Sequence, residues 1–234
     1  MAISFISAGS LAEASSGNIT ITPPATVDRD IIICGVTSHD NVVSTFPAGW
    51  NVLTSNDNTT AMHITVAWKR ATGVEGAFTV THTAGDGIVG NTAVYRGCSI
   101  KSDLIHLSSV FAATSDSTVT VPSITTTISG CMMIFLMHDS DNGASSSENA
   151  VNLGNLNERF DSASTLGLDQ AVSLSDILFS GAGATGNFTG SLSLGPDANV
   201  GVAIALKEYL PITWNNYLFA NAIGSSSSVT EKIR

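Results

Sequence analysis

The side chains best suited to chemistry are five histidines and the carboxylates that stand beside two of them. His39-Asp40 and His138-Asp139 each close an apolar run, and with Asp141 they would form one polar cluster if the two runs lay side by side. Asp139-Ser140-Asp141-Asn142-Gly143 alternates oxygen ligands as a calcium loop does, but the rest of an EF-hand loop is missing, and solvated strand ends are the expected role. Serine is abundant, so a Ser/His/Asp hydrolase can be assembled on paper. No Gly-x-Ser-x-Gly elbow leads into a helix, however, and no catalytic residue is expected. Trp50, Trp68, Tyr95 and Trp214 offer flat faces for sugar rings, yet three of them sit on core-facing strand patterns, which favours packing. Gly73, Gly85, Gly87 and Gly90 are turn residues, since no strand-to-helix transition follows to make a phosphate loop. Cys34, Cys98 and Cys131 lie in or beside apolar runs without metal-ligand spacing and read as buried thiols. A Cys34 to Cys131 bridge stays open if those strands are neighbours. No cofactor and no metal is implied.

The elements that would carry these groups are strands. Ile31 to Val36 is an unbroken apolar run, rich in β-branched residues and short for a helix, so it is expected at the centre of a sheet covered on both faces. Phe46-Pro47-Ala48-Gly49-Trp50 is a turn flanked by aromatics that can plug the end of a core. Asn51 to Ser55 and Met62 to Arg70 then form a hairpin, with Met62, Ile64, Val66 and Trp68 on one face and His63, Thr65, Ala67 and Lys69 on the other. Cys131 to Met137 is a second continuous apolar run. Short strands are also expected at 2–8, 18–22, 78–83, 88–95, 104–107, 118–121, 153–160, 166–174, 186–194 and 200–206, with a Ser/Ala-rich link after 107 and a mobile loop over 140–149. The fold expected is all-β, an antiparallel β-sandwich of jelly-roll or Ig-like type. Each half holds an apolar run ending in His-Asp, an aromatic return (Trp50, Phe160) and a late strand of small apolar residues, a faint echo consistent with duplication or with shared strand grammar.

The chain has 234 residues, 43% of them hydrophobic, enough for one large β domain. Only 12% are charged, yet the net charge is -10, a balance that disfavours nucleic acid and anionic membrane as partners. The N-terminus lacks the basic region and apolar length of a secretory signal, so release by lysis, as for a virus particle, is the expected route out of a cell.

After Lys207-Glu208 the character changes. Residues 1–208 are expected to form the sandwich, and 209–234 an irregular docking arm and tail. Tyr209, Leu210, Ile212, Trp214, Tyr217, Leu218 and Phe219 are the candidate interaction residues, because so much apolar surface rarely stays bare.

The order of features resembles a β-sandwich module of phage and prophage structural proteins, also found in bacterial surface proteins. The likeness rests on Pro23-Pro24, Pro47 to Trp50, Trp68-Lys69, Ala93 to Gly97, Cys131 to Asp139, Glu158 to Phe160 and Val202 to Leu206. It implies a virion structural protein without catalytic residues: a capsid decoration protein or a tail or fibre subunit, homo-oligomeric or in a symmetric array with other virion proteins. The alternative is a receptor- or carbohydrate-binding adhesin with a host-surface glycan as ligand.

Overall fold

The computed structural model describes residues 2–83 and 86–210. Among them there is no helix, and the paired strands run antiparallel. Two large sheets stack face to face. The first has the order β1 (Ser4–Ala8), β8 (Ile88–Arg96), β4 (Ile31–Ser38), β6 (Met62–Arg70), β5 (Asn51–Asn58), with β2 (Ala12–Ala14) continuing along β8. The second has the order β15 (Asn157–Ser164), β16 (Gln170–Phe179), β12 (Cys131–Asp139), β19 (Asp197–Leu206), β9 (Ile105–Asp116). The expected β-sandwich is therefore the observed one.

Between the sheets lies the main core, where Ile31, Ile33, Ile64 and Val66 meet Met132, Ile134, Leu136 and Val202. Each sheet is covered on its outer side as well. A ribbon of β3 (Ile19–Ile21) and β7 (Phe78–Val80) packs on Cys34 and Val36 of the first. A small sheet of β10 (Thr118–Val121), β18 (Phe188–Leu192), β13 (Ser145–Ala150) and β14 (Gly154–Asn155) packs on Met133, Phe135 and Met137 of the second, with β11 (Thr125–Thr126) and β17 (Gly183–Ala184) pairing beside it. The four layers explain why β4 and β12 read as continuous apolar runs: every residue of both is buried. Trp50 packs tilted against Phe78, ring centroids 4.4 Å apart, and against Phe46 at 5.2 Å, the aromatic plug, and Tyr95 is fully buried.

The faint echo in the sequence is a structural repeat. Edge to edge, β1-β8-β4-β6-β5 corresponds in order to β9-β19-β12-β16-β15. The first strand of each half bulges at the matching place, after Phe5 opposite Tyr95 and after Ile105 opposite Leu206. So does the fifth, after Val52 and after Glu158. Gly90 and Gly201 occupy equivalent register positions, beside Val36 and Met137. At both, an added Cβ would strike the covering ribbon: Ile21 at 2.9 Å and Ile19 at 3.0 Å for Gly90, Val121 and Val119 for Gly201. Glycine lets the outer layer approach in each half.

Three expectations are corrected. The Ser/Ala-rich link after 107 belongs to β9, at 12 residues the longest strand, and the loop over 140–149 contains β13. The strand expected at 166–174 is shifted to Gln170–Phe179, because nine consecutive pairs with β12 set its register. The three thiols are free and buried, and no Cys34 to Cys131 bridge forms, since Cys34 packs in the outer cluster of the first half and Cys131 in that of the second.

Candidate functional site

The shared His-Asp cluster does not form, because β4 and β12 lie in different sheets. His138 turns into the core, where its Nδ1 is 2.7 Å from Thr37 Oγ1, and that hydroxyl lies 3.1 Å from the Ala171 carbonyl it donates to. The one hydroxyl proton is thereby used, so His138 donates Nδ1–H and its buried Nε2 is left without a partner. Burial first, and the nearby His63 second, lower its pKa to about 3. Asp139 points the other way, beside Gly143. Burial and then repulsion from Asp197, with a smaller part from Asp141, push it up to about 7. Asp40 instead meets His82 Nε2 at 3.2 Å. Among the described residues no three His, Cys, Asp or Glu side chains are grouped to hold a metal ion.

A serine, histidine and aspartate do come together on the hairpin of β5 and β6. Ser55 Oγ lies 2.9 Å from His63 Nε2, and His63 Nδ1 lies 2.6 Å from Asp57 Oδ1. The connectivity is that of a hydrolytic triad, set by the pairing of Asp57 with His63 across the hairpin. The surroundings differ. Asp57 is 55% exposed, Ser55 is on an open edge strand, and the main clefts among the described residues lie elsewhere. His63 itself is buried, and its two hydrogen bonds tie β5 to β6 across the hairpin and fix the His63 tautomer. A Ser-x-Asp on one strand facing a His on the next is the pattern that would have revealed it in the sequence.

Two clefts lie together at the end of the sandwich where β4 and β12 begin and β8 and β19 finish. One, of about 490 Å³, is bordered by Asp30, Arg96, Cys98, Ile100 and Tyr209. The other, about 290 Å³, is bordered by Ile100, Lys101, Ile128, Lys207 and Leu210. The strands leaving β8 and β19 build the wall they share: Tyr209 N–H donates to Gly97 O at 2.7 Å and Ser99 N–H to Lys207 O at 2.8 Å. Arg96 grips the buried carboxylate of Asp30 through Nε and Nη2, both at 2.8 Å. Burial raises the Cys98 thiol to about 12, so it is an inert wall and no nucleophile. Of the candidate interaction residues, Tyr209 and Leu210 line these clefts, Leu210 being 71% exposed. Ile212, Trp214, Tyr217, Leu218 and Phe219 lie outside the described residues.

Elsewhere the sheets are bolted together by polar groups that the sequence pattern hid. Asp176 on β16 receives Tyr95 Oη at 2.9 Å from the facing sheet, and Arg159 Nε and Nη2 at 2.9 and 2.7 Å from β15. The Arg159 guanidinium also lies 4.4 Å over the Phe5 ring. Compared with known proteins, the chain matches no family model, and no curated protein or solved structure proves similar to it.

Proposed function

We propose that the protein is a non-enzymatic virion structural protein, a capsid decoration or tail or fibre subunit that stabilises a particle through contacts between subunits. The observation that carries this reading is the chain exit. Two clefts of the sandwich border Tyr209, one of them Leu210 as well, beyond which the sequence supplies Ile212, Trp214, Tyr217, Leu218 and Phe219. A four-layer body whose clefted end carries Tyr209 and Leu210, with an aromatic-rich sequence following them, suits a part that is held by its neighbours. Aromatic anchors in pockets are what concentrate binding energy at interfaces. The polar, low-charge surface and the sequence resemblance support the same assignment.

The test is Trp214→Ser with Phe219→Ser, measured by incorporation of the full chain into particles. The expected result is loss of incorporation with the thermal midpoint of the free protein unchanged. Incorporation at the wild-type level would overturn the docking role, and loss of host attachment alone would point to the adhesin.

A further inference from the structure

We propose that Glu148, Asp161 and Ser145 bind a divalent cation of the calcium class, at the seam where the small outer sheet meets the edge of the second large sheet. β13 is tied to the β15 segment there at two points. Ser145 N–H donates to Asp161 Oδ2 at 2.8 Å, and Leu156 N–H, just before β15, donates to Glu148 O at 2.8 Å. A bulge between Ser146 and Asn149 breaks the alternation of β13, so that Ser145 and Glu148, three residues apart, are both buried while Ser146 and Ser147 stay exposed.

The buried oxygens are the observation that points to a ligand. Glu148 is only 6% exposed and Ser145 only 8%, yet Glu148 Oε1 and Ser145 Oγ have no hydrogen-bond partner, and Asp161 Oδ1 is a third such atom. Buried acceptors are costly when nothing satisfies them. These three belong to one place. Burial, opposed by the Ser145 amide, raises the Asp161 pKa, and the Glu148 charge raises it further. Burial, then Glu148 and then Asp161, raise the pKa of Glu158, which stands at the exposed rim. No counter-charge of the protein answers them: among the described residues the lysine and arginine ion pairs all lie elsewhere, and Arg159 is engaged by Asp176.

Donor chemistry selects the occupant. Carboxylate and hydroxyl oxygens, with no imidazole or thiol among them, suit a hard cation, and calcium accepts an irregular ligand set completed by water, whereas magnesium demands a near-ideal octahedron. Two acidic side chains supply the ligands, and Glu158 adds its field from the rim. The bound cation clamps β13 to β15 and so fastens the outer layer to the second sheet. The site involves no residue of the arm, so it stands or falls apart from the proposed docking role.

The experiment is calorimetric titration of calcium chloride into the full chain, stripped of metal with EDTA, at neutral pH and about 150 mM salt, where diffuse attraction to an acidic protein is screened. One ion per chain is expected, with a dissociation constant of about 0.1 mM. Calcium at about 100-fold that concentration is expected to raise the thermal midpoint by about 5–10 °C. Glu148→Gln is expected to weaken binding at least about 10-fold and to abolish that rise, with a metal-free midpoint no lower than wild type because a repelling charge has gone. Ser145→Ala, which deletes a hydroxyl without a partner and keeps both carboxylates, is expected to weaken binding about 3–10-fold. Asp141→Asn with Asp197→Asn, in the separate acidic group around Asp139, is expected to bind as wild type does. A wild type that takes up no calcium, whose site protons alone then balance, would overturn the proposal. So would calcium binding that Glu148→Gln and Ser145→Ala keep at wild-type strength, or that the Asp141 and Asp197 substitutions abolish.

Discussion

His138 and Asp139 are neighbours in sequence that face opposite sides of one strand, and their protonation works in opposite directions. His138 is held neutral, its pKa lowered from 6.5 to about 3. Between those values the unfolded chain binds a proton that the folded one refuses, so stability is present above 6.5 and drains as pH falls toward 3. Asp139 is raised from 3.8 to about 7. The folded chain keeps a proton the unfolded one releases, so this contribution is present below 3.8 and is lost as pH rises through 7. Each slope is about 1.4 kcal/mol per pH unit, with spans of about 5 and about 4 kcal/mol. In the wild type they cancel between about pH 4 and 6.5. The perturbation is Asp139→Asn, which removes one slope and keeps the shape. Urea denaturation at pH 4, 5, 6 and 7 should show the variant gaining about 3–4 kcal/mol on wild type across the series, with the urea dependence unchanged. His138→Asn should tilt the curve the other way, falling as pH rises. Asp161, whose raised pKa comes from burial first and from Glu148, contributes equally to wild type and variant and drops out of the difference. Variant and wild-type curves that stay parallel within about 0.5 kcal/mol would refute the burial argument for both residues.

Asp176→Ala strands Arg159 and the Tyr95 hydroxyl, and should cost about 3–5 kcal/mol, about 6–20 °C in thermal midpoint for a domain of this size. Tyr95→Phe, which removes one hydrogen bond to a charged acceptor and keeps the ring, should cost less, about 1.5–3 kcal/mol. Gly201→Ala forces a methyl against Val119 at 2.7 Å and Phe135 at 3.3 Å, and should destabilise by about 1–3 kcal/mol in thermal melts. Gly90→Ala should act in the same direction at the equivalent place, and Val121→Ala should recover part of the Gly201→Ala loss. A neutral Gly201→Ala would mean that the outer layer does not press on β19.

Local pattern carried much of the fold. Ile31 to Val36 and Cys131 to Met137 could be read as two-sided strands because a stretch buried on both faces shows no polar alternation, whatever covers it. Pro47-Ala48-Gly49-Trp50 announced its turn through Pro and a glycine that does adopt positive φ, 91° at Gly49. The burial of the thiols was likewise legible in composition. By contrast, Ser108 to Ser115 sets only Val110, Phe111 and Thr114 among small Ser and Ala side chains, and the ten-residue β19 far along the chain holds most of it extended. Ser173, Ser175 and Asp176 look like surface residues and are buried, because Tyr95 and Arg159, 81 and 17 residues away from Asp176, supply its hydrogen bonds. The hydrogen-bonded group of Ser55, His63 and Asp57, the entry of His138 into the core opposite Thr37, and the place of β9 at the edge of its sheet are likewise products of register and layer order. Side-chain periodicity states which faces avoid water, a local matter. Which strands meet, and which edge is left over, depends on pairing energies between distant segments, and those exist only once the chain has closed on itself.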